Sequence, residues 1–222
     1  MATGPKHALF EEFARVAQAL AHAHRLALLE QVAQGERTVD ALALAAGLSV
    51  ANTSQHLKLL RAAGLVASRR DGKFVLYRLA DEQVLELINA VRRVAERNVA
   101  EVARIVGAYF TKRDELEPVS HAELLERLRL GLVTVIDVRP RDEFRLGHIS
   151  GALSVPLEDL EAHLAEFDPR QEIVAYCRSA YCVLSFEAVA ALRTRGFLVR
   201  RLEDGFPEWR AAGLPFEVAK TR

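Results

Sequence analysis

The hydrophobic period changes once along the chain, near residues 114–118, and that change limits the possible folds more than any other feature. Before it, apolar residues recur at helical spacing: Leu9, Phe10, Phe13, Val16 and Leu20 within residues 8–21, then Leu26, Leu29 and Val32 within residues 24–33. After it, continuous apolar runs of buried-strand type at residues 132–137 and 172–176 alternate with helical stretches at residues 142–146, 157–166 and 183–195. Residues 198–202 read as another strand and residues 207–212 as a short closing helix. A chain of 222 residues can hold two small domains. The pattern predicts residues 1–113 as a mainly α domain with a β-hairpin. Residues 114–222 follow as an α/β domain with helices on both faces of a sheet.

Local signals sharpen the first domain. Thr38 can cap a helix over residues 39–46 that Gly47 ends, and Ser49 can cap one over residues 50–63 that Gly64 stops. Strand-like runs at residues 65–70 and 73–79 meet at Asp71 and Gly72, a strong hairpin signal. Two short helices joined by a tight turn and followed by a hairpin make a winged helix-turn-helix. Acidic and basic residues balance at 30 each, which excludes a globally basic nucleic-acid binder. A DNA-binding surface must then be a local patch, and residues 54–78 supply one. They carry Lys58, Arg61, Arg69, Arg70, Lys73 and Arg78 against the single acid Asp71. Such charges hold a duplex by its phosphates without reading sequence. Asn52, Thr53, Gln55 and His56, read as exposed near the start of the second helix with Ser54 among them, are candidates for base edges. The competing reading is the solvated face of a helical protein-interaction domain.

Residues 81–110 read as one long helix. Val84, Ile88, Val91, Ala95, Asn98, Val102, Ile105 and Tyr109 step by four and three, a coiled-coil-like seam that predicts a homodimer interface. Asn98 inside the seam would fix register at a cost in stability. Packing back onto its own domain is the alternative.

Residues 24–79, and above all LSVANTSQHLKLLRAAGL at residues 48–65 with the hairpin after it, resemble the ArsR/SmtB family of winged-helix repressors. The resemblance implies a homodimer that binds double-stranded DNA at an inverted-repeat operator and releases it when an inducer is sensed. The metal sites best known in that family do not carry over. Residues 39–45 hold no cysteine and residues 81–110 no histidine, whereas soft metals need thiolate and zinc needs imidazole or thiolate. His22 and His24 stand close together but lack a convincing ligand set, and read as surface residues. No metal and no cofactor is expected.

The two cysteines, Cys177 and Cys182, are too few for a disulfide framework. Cys177 falls at the end of a predicted strand, before a loop leading into a helix. Backbone N–H groups and the helix dipole there would lower a thiol pKa and stabilise a persulfide anion. A buried structural cysteine is the equal alternative on these grounds alone. The segments VIDVR (135–139), Glu143 and Phe144, GHISGA (147–152), Val155 and Pro156, and LEDGFPEW (202–209) resemble the rhodanese superfamily, covering almost all of residues 120–216. The resemblance implies a persulfide-carrying Cys177 on a loop of Cys177, Arg178, Ser179, Ala180, Tyr181 and Cys182, supported by Asp137 and Arg139. Many active sulfurtransferases of this type have a glycine and a terminal arginine where this loop has Ala180 and Cys182. Arg178, the loop's one cation, is the candidate substitute for binding an anionic donor. Related phosphatases end a longer loop in arginine at the position of Val183, which disfavours phosphate-ester chemistry. Cys182 reads either as a resolving thiol for Cys177 or as a small apolar residue opening the helix.

These readings combine into a DNA-binding repressor whose rhodanese-like domain carries or senses sulfane sulfur at Cys177. The alternative is a sulfurtransferase tethered to DNA, moving sulfur from thiosulfate or a persulfide donor to a thiol acceptor. No run approaches the roughly 18 apolar residues of a membrane span and residues 1–7 lack the layout of an export signal, so a cytoplasmic location is expected.

Overall fold

In the computed structural model, which describes residues 4–111 and 116–219, the chain forms two compact units, Met1–Ala90 and Val91–Arg222. The division expected between residues 113 and 114 falls outside the described residues. Among the described residues no helix is long and apolar enough to cross a membrane.

The first unit begins with α1 (Pro5–Leu20) and α2 (Ala23–Ala33), then a two-residue strand β1 (Arg37–Thr38). Helix α3 (Val39–Ala46) is capped as expected by Thr38, whose hydroxyl accepts from Ala41 N at 3.2 Å, and it ends at Gly47. Helix α4 (Val50–Ala62) is capped by Ser49, whose hydroxyl accepts from Asn52 N at 3.2 Å. Strands β2 (Val66–Asp71) and β3 (Phe74–Leu79) form the hairpin, and β1 joins β3 to give an antiparallel sheet of order β1-β3-β2. Asp71 pairs with Phe74, so the turn residues are Gly72 and Lys73 rather than Asp71 and Gly72. Gly72 has φ +57°, the left-handed backbone such two-residue turns require. The core gathers Leu28, Leu29, Leu42, Leu57 and Leu60 from the helices with Leu65, Val66 and Tyr77 from the hairpin. Each fully buried leucine contributes about 1.5–3 kcal/mol.

The single helix expected over residues 81–110 is interrupted. Helix α5 (Gln83–Asn98) stops before Val99, which is extended (φ −110°, ψ 104°), and α6 (Ala100–Ile105) runs into a π-helical turn, Val106–Thr111. The local chemistry accounts for the break. The Asn98 side chain donates to Val94 O at 2.9 Å, competing with the backbone ladder, and β-branched Val99 is a poor helix former. The eight-residue seam is therefore not one continuous stripe. Val84 and Ile88 pack into the core of the first unit, while Val91 and Ile105 are exposed.

In the second unit, α7 (His121–Arg129) is capped by Ser120, a helix the apolar pattern did not announce. Then come β4 (Val133–Asp137), α8 (Arg141–Leu146), β5 (His148–Ile149), β6 (Leu153–Ser154) and α9 (Leu160–His163), the last flanked by 3-10 turns. Strand β7 (Glu172–Tyr176), α10 (Val183–Arg193), β8 (Val199–Arg201), α11 (Phe206–Ala211) and β9 (Phe216–Glu217) complete it. The main sheet is parallel with order β6-β4-β7-β8, and β5 pairs antiparallel with β9. Side chains alternate across it. Ile136, Ile173, Ala175 and Cys177 enter one core with Val189 and Leu192, whereas Val133, Val135, Val174 and Tyr176 enter the other with Phe206 and Trp209. This is the two-faced α/β sheet that the alternating runs predicted.

Candidate functional site

Cys177 leaves the C-terminal end of β7, and the loop returns to the sequence at Cys182, the residue preceding α10. The two are joined as a disulfide with Cα atoms 6.0 Å apart, inside the range a disulfide tolerates. Cys177 is 1% exposed and Cys182 8%. The loop's path is held from behind by main chain. Phe206 N donates to Cys177 O at 3.0 Å, and Cys182 N donates to Ser179 O at 3.2 Å. Gly205 lies against the loop so closely that a Cβ there would fall on the carbonyl of Arg178. That close approach is why the segment after β8 reads Asp204, Gly205, Phe206.

Arg178 does not serve as an available cation. Its guanidinium is turned onto Glu143 of α8, with Nε at 3.0 and 2.9 Å from the two carboxylate oxygens and Nη2 at 2.7 Å from one. Glu143 is 1% exposed, and a buried carboxylate needs a countercharge, which corrects the expectation that Arg178 would meet an anionic donor. A second cation, unassigned from sequence, stands nearby. Arg201 of β8 is buried, donates to Ala180 O at 3.3 Å and lies 3.8 Å from the Phe186 ring centre.

Asp137 and Arg139 form a fully buried ion pair below the strand ends. Arg139 Nε donates to Asp137 at 2.9 and 3.1 Å, Nη2 donates to it at 2.5 Å, and Nη2 also donates to Gly147 O at 2.7 Å. Burial opposes the Arg139 charge, but Asp137's charge and hydrogen bonds outweigh it and raise the Arg139 pKa. Tyr176 beside them accepts from Ile149 N at 3.1 Å. Burial, then the Asp137 charge, pushes its phenol well above the ordinary value, so it stays neutral. The network is buried and ties the end of β4 to Gly147 before β5.

In the first unit, α4 and the hairpin carry the basic face. Gln55, Lys58, Arg61, Arg70 and Lys73 are exposed, and Asn52 and Ser54 are half-buried. Thr53 and His56, expected at the surface, are buried at 0% and 8% exposure because their positions on α4 face the core beside Leu57 and Leu60. Burial first, then the charges of His22, Arg25 and His24, holds the His56 pKa below the ordinary histidine value. Arg69 is engaged by Glu36, which lies far off in sequence just before β1, at 2.6–3.1 Å, and Arg78 Nε is 3.8 Å from the same carboxylate. The wing is thus less positive than residues 54–78 alone suggest. Glu143 and Gly205 stood in quoted motifs without a role. Arg201 and Glu36 left no signal that sequence alone could use.

The profile of the family described as "Rhodanese-like domain" matches residues 120–212, and that of "Bacterial regulatory protein, arsR family" matches residues 23–68. The HTH-type transcriptional regulator Rv0324 of Mycobacterium tuberculosis is 44% identical over 212 residues, 96% of this chain and 93% of that protein. The HTH-type transcriptional regulator Rv0081 of the same organism is 38% identical over 98 residues, 44% of this chain and 83% of its own length. Among solved structures, the winged helix-turn-helix DNA-binding domain of Mb0332 from Mycobacterium bovis, described as homodimeric, is 40% identical. It covers 45% of this chain and 92% of its own, with a TM-score of 0.42. With near-complete coverage of a 44% identical regulator and both domain profiles in register with the two halves of the fold, this chain belongs to the ArsR-family transcriptional regulators that carry a C-terminal rhodanese-like domain.

Proposed function

We propose that this regulator is a homodimeric repressor that binds an inverted-repeat operator in double-stranded DNA and responds to sulfane sulfur through Cys177 and Cys182. In this reading α4 enters the major groove with Asn52, Ser54 and Gln55 toward base edges, while Lys58, Arg61, Arg70 and Lys73 meet phosphates. Arg69, held by Glu36, contributes less, and Thr53 and His56 act from inside by shaping α4. Dimerisation is supported by exposed apolar side chains on α1 (Leu9, Phe10, Phe13) and on α5 (Leu87, Val91, Val94).

The observation that carries the sulfur reading is the pairing of Cys177 with Cys182 within one six-residue loop. Two steps follow from it. The Cys177 thiolate attacks the outer sulfur of a persulfide donor RSSH, forming Cys177–S–SH and releasing RS⁻. The Cys182 thiolate then attacks the inner sulfur of that persulfide, which forms the Cys177–Cys182 disulfide and expels HS⁻. Both steps balance as thiol–disulfide exchange. With Arg178 neutralised by Glu143, the loop offers little to an anionic donor such as thiosulfate, which favours a sensor over an efficient sulfurtransferase.

Fluorescence anisotropy on promoter DNA tests this, with and without polysulfide, for the native chain and Cys177→Ser. Polysulfide should weaken native binding by about tenfold, within the usual range of coupling energies, and leave the variant unchanged. Identical binding under all four conditions would exclude the switch. Thiosulfate turnover that Cys177→Ser abolishes would then favour the tethered enzyme.

A further inference from the structure

We propose that His22, His24 and His56 form a binding site for a first-row divalent cation of the zinc class. His22 precedes α2 as its N-cap and His24 lies in the first turn of that helix, both exposed. The fold brings His56 of α4 against both of them although it is distant in sequence. The ring centres are 4.7 Å apart for His22 and His56, 5.1 Å for His22 and His24, and 5.7 Å for His24 and His56. One ring nitrogen from each lies within 4.8 Å of the other two. Zinc–imidazole bonds of about 2.0–2.1 Å put tetrahedral nitrogens about 3.4 Å apart, so the exposed rings need close by only about 1.4 Å at most.

His56 supplies the independent observation. Its side chain is more than nine-tenths buried, and its Nδ1 is enclosed with no hydrogen-bond partner. A buried polar atom left unpaired is costly, and an orphan on a ring beside two other imidazoles is accounted for if a cation completes it. The single lone pair of a neutral His22 imidazole now accepts from His24 N through Nδ1 at 3.1 Å, so cation binding exchanges this N-cap bond for a bond to the ion. Three imidazoles and no thiolate suit zinc, copper(II) or nickel rather than soft cations. Three protein ligands leave a fourth position open to water, and the two exposed rings provide an entry path. Arg25 is near, but its guanidinium is directed to Ala19 O and Gln18 O at 2.5 and 2.8 Å. The group His121, Glu203 and Asp204 is the weaker candidate, because Asp204 is ion-paired with Arg92 at 3.0 Å. A cation at the three histidines would join the corner between α1 and α2 to the helix that carries Gln55, Lys58 and Arg61.

The test is titration of the chelator-treated full chain with Zn²⁺ by calorimetry, keeping the Cys177–Cys182 disulfide closed so that no thiolate competes. Co²⁺ serves as a second probe, read by its visible ligand-field bands. One ion per chain is expected. His22→Ser, which keeps an N-cap hydroxyl, and His24→Gln should each weaken Zn²⁺ binding by about 100-fold or more and abolish the Co²⁺ bands. His121→Gln should leave both unchanged. Both substitutions at 22 and 24 are at the surface, so the test does not depend on a His56 variant folding. Native-like Zn²⁺ affinity in either variant, loss of binding in His121→Gln, or no binding by the native chain overturns the assignment.

Discussion

Replacing Asp137 by Asn while Arg139 stays removes the countercharge of a guanidinium that is 0% exposed. Breaking a buried pair from one side typically costs about 3–5 kcal/mol. Urea unfolding followed at Trp209, which is buried in the same unit, should show that loss, and replacing both partners by apolar residues of similar size should recover most of it. Gly205→Ala asks a different question. The added methyl meets the Arg178 carbonyl and Ser179 N, so the loop must move. The expected result is a stability loss of about 1–3 kcal/mol, as for other overpacked sites, together with slower closure of the Cys177–Cys182 disulfide measured by thiol trapping. An unchanged closure rate would show that the loop tolerates displacement. At this scale the sequence was uneven. The places of Cys177, Asp137 and Arg139 at or just past strand ends were legible because each follows a continuous apolar run. The Arg178–Glu143 pair was not, since 35 residues separate the partners and only the parallel register of β4 and β7 brings their neighbourhoods together.

Helix α4 depends on a cap that can be removed without touching its exposed face. Ser49→Ala deletes the bond to Asn52 N and should cost about 1 kcal/mol in thermal or denaturant unfolding. If the first turn of α4 reads bases, operator affinity should fall more than affinity for random DNA, measured side by side by anisotropy. Equal loss on both would confine the helix to phosphate contact. Caps and turns were the most readable elements, because Thr38, Ser49 and the glycines act through local bonds. Residues 81–110 were misread as continuous, because a four-and-three apolar step cannot register an asparagine that bonds its own helix backbone and turns the chain at Val99. Burial of Thr53 and His56 was missed for a related reason: on a short helix, polar type outweighed position in the apolar period.

Among the described residues the two units have separate hydrophobic cores, the cluster of the first sharing no residue with the two clusters of the second. Differential scanning calorimetry should therefore resolve two transitions, and Asp137→Asn should lower one while leaving the other in place. A single transition that moves as a whole would mean that the halves fold as one cooperative body. The fold class of each half was legible because the period of its apolar residues differs; no such signal could announce that His56 of α4 meets His22 and His24. The loop between β7 and α10 carries one more implication. Its main chain is held by Phe206 N, by Arg201 on a carbonyl and by the bare face of Gly205. A loop gripped by its main chain behaves as a cassette. Side chains that this frame does not hold can be exchanged, including for sets that favour turnover over sensing, whereas Arg178 is tied in place by the buried Glu143.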